Sequence, residues 1–167
     1  MSKKPYVPPQ FIIRSAWRIH RTYAKGRPGR GLTTPGEKRS WGTLALHTRG
    51  RTSSLERTAL VAYLLEDDHR FSVLAMNGWM EGPTAWQLNL LAEPRAAITL
   101  SDGVRRDVVT HVTTGSERER LWSHWRENEA GLDELAATRE TRTEVFVLSL
   151  ASDVPVSRES EHADQPG

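Results

Sequence analysis

The sequence predicts an α+β fold in which about six mostly antiparallel strands close into a small barrel with flanking helices. Three observations lead there. Beyond residue 41 the dominant hydrophobic period is two, the period of a strand. The period-two runs are joined by turns and short loops, which suits antiparallel neighbours. Six such runs in a chain of 167 residues favour barrel-like closure.

Each element has its own reason. Residues 1–9 are polar and broken by three prolines, and are expected to be a flexible arm. Over 10–25, Ile12, Ile13, Ala16, Trp17, Ile19 and Tyr23 recur at helical spacing with Arg14, Arg18, Arg21 and Lys25 between them, so a basic amphipathic helix is expected. Such a helix lies on a membrane, covers a pocket or caps a core. Residues 26–40 are rich in Gly and Pro and read as loop. The barrel core is expected over 41–150 and, with the preceding helix and loop, forms a single domain over 10–150.

Gly42–Thr48 carries Leu44 and Leu46 on one side and reads as the first strand. Thr58–Leu65 is nearly all apolar, the pattern of a strand buried on both faces. A polar turn at Glu66–His69 leads to a third strand over Arg70–Met76, where Phe71, Val73 and Ala75 alternate. Asn77–Pro83 is loop, and Thr84–Ala92 a short helix that stops before Pro94. Arg95–Leu100 and Val104–Thr114 form a hairpin around Ser101-Asp102-Gly103, where Gly supplies a positive φ. Ser116 and Glu119 match a capping box and predict a helix start there. Leu121, Trp122 and Trp125 give that helix its apolar face, Gly131 interrupts it, and Leu132–Thr138 forms a further short helix. Thr143–Leu150 is the last strand, and 151–167 is polar and expected to be disordered.

Composition narrows the chemistry. There is no cysteine, so disulfides, thiolate metal sites and cysteine nucleophiles are excluded. No run approaches the ~18 apolar residues of a membrane span. The start of the chain lacks the apolar core of a secretory signal, so a cytoplasmic home is expected, with peripheral membrane contact through the 10–25 helix as an option. The net charge of +2 hides polarity: residues 1–57 carry a balance of +11, and residues 58–167 one of −9. The basic third meets either a phosphorylated cofactor, nucleic acid or acidic membrane, or simply the acidic helices of the same chain. The histidines, at 20, 47, 69, 111, 124 and 162, show no ligand spacing beside a carboxylate, so no metal site is expected. No nucleophile elbow, Gly-x-Gly-x-x-Gly or P-loop pattern is present, and no nucleic-acid recognition motif.

Two segments stand out. The first, His47-Thr48-Arg49-Gly50-Arg51-Thr52-Ser53-Ser54-Leu55-Glu56-Arg57, joins two predicted strands. Its backbone N–H groups and hydroxyls can surround phosphate oxygens, and its guanidinium forks add bidentate bonds; otherwise it is a solvated basic hairpin. The second runs from Ala75-Met76-Asn77-Gly78-Trp79 through Pro83-Thr84-Ala85-Trp86-Gln87-Leu88-Asn89-Leu90. A Gly-containing loop and a helix with Trp86 and Asn89 one turn apart can set an aromatic wall and an amide beside a planar ligand; otherwise Trp86 is core.

Together these segments resemble the deazaflavin-dependent nitroreductase and quinone reductase family over most of residues 41–150. The family pattern has a Thr-Thr-x-Gly-Arg-Lys-Ser/Thr-Gly-x-x-Arg turn, and Thr48, Gly50, Arg51, Ser53 and Arg57 fall in register with it. Tyr63 and Asp67 match a strand tyrosine and a turn aspartate. Asn77 and Gly78 match the loop; Trp86, Asn89 and Leu90 match the helix, and Pro94 the residue that ends it. Arg142-Thr143 matches the approach to the last strand. The resemblance implies a split β-barrel, of the kind that binds flavin mononucleotide, using the deazaflavin coenzyme F-420. Arg51, Thr52, Ser53 and Arg57 would hold its phosphate. Leu74, Ala75, Met76, Asn77 and Gly78, with Ala85, Trp86, Gln87, Leu88 and Asn89, would hold its ring. Tyr63 would be the catalytic acid. The implied activity is hydride transfer to a small organic acceptor: a quinone, a nitroaromatic or an activated double bond. The alternatives are an F-420-binding module without reductase activity, or a relative that binds FMN or haem. A homodimer is the assembly to expect. The chain departs from the pattern at Thr52 (for Lys), Ser54 (for Gly), Met76 (for Ser) and Gln87 (for Tyr), and has no tyrosine over 128–141.

Overall fold

The structure is a computed structural model and describes residues 31–153. The expected arm at 1–9, the helix at 10–25 and the tail from 154 lie outside the described residues, while Ala151–Asp153, expected to be disordered with that tail, form a 3-10 turn. Six strands form a closed barrel: β1 (Gly42–Arg49), β2 (Glu56–Asp67), β3 (Arg70–Leu74), β4 (Arg95–Thr99), β5 (Arg105–Val112) and β6 (Val145–Leu150). Their order around the barrel is β1-β2-β3-β6-β5-β4, and every pairing is antiparallel. Among the described residues three α-helices accompany them: α1 (Ala85–Ala92), α2 (Gly115–Asn128) and α3 (Leu132–Ala136). The fold class and strand number are those the sequence predicts.

Alternation along each strand separates inside from outside. Leu44, Leu46, Val61, Phe71, Val73, Ile98, Val108, Phe146 and Leu148 fill the barrel. Trp86 and Leu90 join them from α1, so this helix closes one mouth of the barrel. A second core lies outside the wall, where Leu64, Leu74, Val145 and Val147 meet Leu121 and Trp125 of α2 and Leu132 of α3. The strands with two buried faces are therefore β3 and β6. The expectation of a doubly buried strand at Thr58–Leu65 is corrected: Thr58 and Leu65, the latter 46% exposed, are open at its two ends, and among the described residues the outer core covers β2 only at Ala62 and Leu64. This strand also runs on through Glu66 and Asp67, where the sequence predicts a turn.

Polar bonds fix α2 on the wall. Ser72 is fully buried on the outer side of β3. Its hydroxyl accepts from Trp125 Nε1 at 2.9 Å and donates to Glu66 Oε1 at 2.6 Å. The Glu66 side chain, 4% exposed, also meets His124 Nδ1 at 3.1 Å and Arg120 Nη1 at 3.3 Å. The capping box expected at Ser116 and Glu119 is absent. The helix begins at Gly115 after Thr114, and no side chain caps it. Ser116 thus lies inside the first turn, where its hydroxyl is out of place for a cap. The box is found instead on α1: Gln87 N donates to Thr84 Oγ1 at 3.1 Å and Thr84 N donates to Gln87 Oε1 at 3.3 Å.

Ser72→Ala is expected to destabilise the protein by about 1–3 kcal/mol, because it leaves a buried indole N–H and a buried carboxylate short of a partner. Urea unfolding at neutral pH measures this; a change below ~0.5 kcal/mol would show that the network contributes little.

Candidate functional site

The turn after β1 is built from backbone bonds. Gly50 N donates to the Leu55 carbonyl at 2.8 Å, and Ser54 N to the Gly50 carbonyl at 2.7 Å. A Cβ on Gly50 would stand 2.7 Å from Ser53 Oγ and 3.1 Å from the Leu55 carbonyl oxygen, so a larger residue would have to displace the Ser53 hydroxyl and shift the turn slightly. Ser53 Oγ accepts from Leu55 N at 3.3 Å and from Arg57 Nη2 at 3.4 Å. Arg51, Thr52, Ser53 and Arg57 are all exposed. The guanidinium of Arg51 has no partner among the described residues. The turn therefore presents two guanidinium groups and hydroxyls to solvent, with its backbone already fixed.

Helix α1 is tied directly to this turn. Asn89, 4% exposed, accepts from Arg51 N at 3.2 Å through Oδ1 and donates from Nδ2 to Thr48 Oγ1 at 3.0 Å. Thr48 Oγ1 in turn donates to the Arg57 carbonyl at 3.5 Å. So the arginine-bearing turn and the tryptophan-bearing helix meet at one mouth of the barrel.

The other expected residues fall in three places. Leu74 and Ala75 are buried, and Met76, Asn77 and Gly78 are half-buried in the loop that leads to α1. Asn77, Gly78 and Trp79 have φ of 49°, 60° and 63°, three left-handed residues in a row. Non-glycine residues in that region cost on the order of 1–3 kcal/mol each and concentrate at functional sites. On α1, Ala85 is exposed and Leu88 half-buried, while Gln87 is held in the capping box. Trp86 is 7% exposed and stands edge-on to Phe146, with centroids 5.5 Å apart. It supports the helix from inside the barrel.

Tyr63 lies elsewhere. It pairs with Gly42, the first residue of β1, whereas Arg51 follows the last; roughly 20 Å of strand separates the two levels. It is 3% exposed and packs edge-on against Phe71 at 5.8 Å. Burial, aided by the negative charge of Asp102, pushes its hydroxyl pKa above 10. The structure does not bring Tyr63 to the turn and helix.

Two hollows flank this mouth. A groove of about 560 Å³ runs over the outer face of β1, β4 and β5 past His47, Arg49, Arg95 and Arg105, and reaches the turn at Ser54. Burial, reinforced by the charge of Arg105, lowers the pKa of His47. A cavity of about 270 Å³ lies beside α1, between Gln87, Leu91, Val112 and Phe146. Sequence reasoning missed Glu81 and Arg139, which tie the loop before α1 to the segment before β6. Both sit in polar stretches with no pattern to mark them.

The F420H(2)-dependent quinone reductase family model matches residues 18–149. No curated protein matches the chain. Among solved structures, one described as a domain-swapped dimer is 20% identical, covers 85% of this chain and all of its own, and has a TM-score of 0.61. An F420-H2 dependent reductase is 20% identical over 64% of this chain and 93% of its own, with a TM-score of 0.56. A protein of unknown function from Agrobacterium tumefaciens is 16% identical over 89% of this chain and 59% of its own, with a TM-score of 0.50. At these identities the structures attest the fold.

Asn89→Ala is expected to cost about 1–3 kcal/mol, since the Arg51 amide and the Thr48 hydroxyl lose their partner at a closed mouth. Thermal unfolding of the variant checks it; an unchanged melting temperature would mean that Asn89 does not register α1 on β1.

Proposed function

The chain belongs to the F420H(2)-dependent quinone reductase family and is an F-420-dependent reductase; from that membership we propose that its acceptor is a small quinone and that the β1–β2 turn, the loop after β3 and α1 together hold the cofactor. The observation that carries this reading is the bond from Arg51 N to Asn89, which joins the turn to the helix. Nitroaromatics and activated double bonds are chemically similar electron-poor acceptors and belong in the same assay.

The residues present suit an anionic, flat group. Arg51 and Arg57 offer guanidinium donors, and Thr52 and Ser53 offer hydroxyls, on a backbone that needs no rearrangement. These would hold the phosphate of the cofactor. The stretch Leu74–Gly78 and the residues Ala85–Asn89 would line its ring, with Trp86 acting from behind as a packed support. When bound, the reduced deazaflavin supplies a hydride to the acceptor. The chain's own part is to bind, to orient and to exclude water on the barrel side, where Trp86 and Leu90 fill the mouth. Tyr63 is not part of this proposal, because it sits at the other end of β1. We also expect a homodimer, the assembly given for one structural neighbour.

The test is direct. Mixed with reduced F-420 and menadione, the protein should restore absorbance near ~420 nm, and F-420 fluorescence should titrate to a single site. Arg51→Ala and Arg57→Ala should each weaken F-420 binding on the order of tenfold, as expected for loss of one charge-assisted bond worth roughly 1.4 kcal/mol. Binding without turnover over a broad acceptor panel would reduce the protein to a cofactor-binding module; wild-type affinity in both variants would remove the turn from the site.

A further inference from the structure

Arg139 is 7% exposed and makes no salt bridge among the described residues. Its Nη1 donates to the Ala75 carbonyl at 3.1 Å and to Thr143 Oγ1 at 3.4 Å, and its Nη2 donates to the Gly82 carbonyl at 2.8 Å. Its Nε is buried with no acceptor. Burial lowers its pKa, opposed only by the charge of Glu81. A guanidinium taken from water to meet neutral carbonyls, with one N–H unpaired, is a costly placement. An apolar side chain would fill the space with less desolvation, so packing alone does not explain it.

Geometry does. The planar fork brings together the carbonyls of Ala75 and Gly82, seven residues apart, and closes the base of the loop between them. Inside that loop stand Asn77, Gly78 and Trp79, all left-handed. Within the loop, the side chain of Asn77 donates to the carbonyls of Glu81 at 3.0 Å and Gly82 at 3.2 Å. A second tether comes from the Glu81 carboxylate. It accepts from Glu140 N at 2.6 Å, Thr141 N at 3.0 Å and Thr141 Oγ1 at 2.7 Å. Both tethers reach the segment 139–143, which leads into β6 of the barrel wall.

We propose that Arg139 is a positioning residue: by gripping the carbonyls of Ala75 and Gly82 it holds the strained loop 75–82 in the shape that receives the flat ring of the cofactor. The inference rests on the reading that Leu74–Gly78 line that ring. Lysine cannot replace it, because a single ammonium on a flexible stem lacks the fixed fork that spans two carbonyls.

The test uses the full chain and the variants Arg139→Lys, Arg139→Ala and Glu81→Gln. In Arg139→Lys, amide hydrogen exchange over residues 76–82 should rise about tenfold or more, while exchange in β1 and β4 stays as in the parent. The dissociation constant for F-420 should rise roughly tenfold, with kcat at saturating reduced cofactor changed less than about twofold. Ethylguanidine added to Arg139→Ala should recover much of the affinity, and Glu81→Gln should show a smaller loosening confined to the same loop. Parent-like exchange and affinity in Arg139→Lys would overturn the proposal. So would exchange that rises evenly over the whole barrel, which marks a purely structural role. If the parent itself fails to bind F-420, the site reading falls, and with it the ring-positioning role; the exchange data then still decide whether Arg139 holds the loop. If Arg139→Ala does not fold, Arg139→Lys and Glu81→Gln carry the test alone.

Discussion

The side-chain amide of Asn89 is where barrel, helix and turn become one object. Closing six strands removes the sheet edges but leaves the interior open beyond Thr48. Helix α1 fills that opening with Trp86 and Leu90. Apolar contact is non-directional and does not set where the helix stops along its own axis. Asn89 supplies the missing direction by binding two nearby parts of the chain: the hydroxyl of Thr48 on β1 and the amide of Arg51 in the turn. In so dry a place an unpaired amide would be strongly unfavourable, so this position of the helix is favoured over its neighbours. The backbone of Arg51 is thereby fixed while its guanidinium stays in water.

The loop before α1 takes its order from both cores. Leu74 belongs to the outer core, under α2 and α3, and Ala75 to the inner one. The chain leaves the sheet between these two anchors, and Ala75 N still donates to the Glu144 carbonyl at 2.8 Å. The backbone beyond Met76 is strained, and strain persists only where the surroundings over-determine the backbone. The outer core therefore matters to the site even though none of its helices touches the turn. Its own register on the wall is set by Trp125, Ser72 and Glu66.

Much of this is legible in the residues, and the failures have physical causes. Strands show through because alternation is written in sequence: Phe71, Val73 and Ala75 point inward as their spacing predicts. The sequence also leads one to expect that the turn at Gly50–Ser54 and the helix at Trp86–Asn89 lie together, and Asn89 joins them. The capping box expected at Ser116 does not form, and one not foreseen forms at Thr84. Thr113 N donates to the Val145 carbonyl and Gly115 takes a φ of 54°, so tertiary pairing decides where α2 begins. Tyr63 illustrates a different limit: pattern gives a residue on a strand, while the barrel register decides which end of the strand it occupies. Arg139 has no signal at all. Two of its three partners are carbonyls about sixty residues away, and carbonyls carry no sequence identity.

The distribution of ion pairs bears on why the mouth is basic. Several arginines beyond residue 57 are matched by acids of the same part of the chain: Arg70 with Asp67, Arg106 with Asp102, Arg126 with Asp133, and Arg120 with Glu66. Arg105 reaches Glu56. Arg49, Arg51, Arg57 and Arg95 make no salt bridge among the described residues. Four guanidinium groups without a salt bridge among the described residues thus stand around one turn and its neighbouring groove, where Glu56 and Asp107 are the acids. Such an excess of positive charge raises the local potential and would draw an anionic group to the mouth.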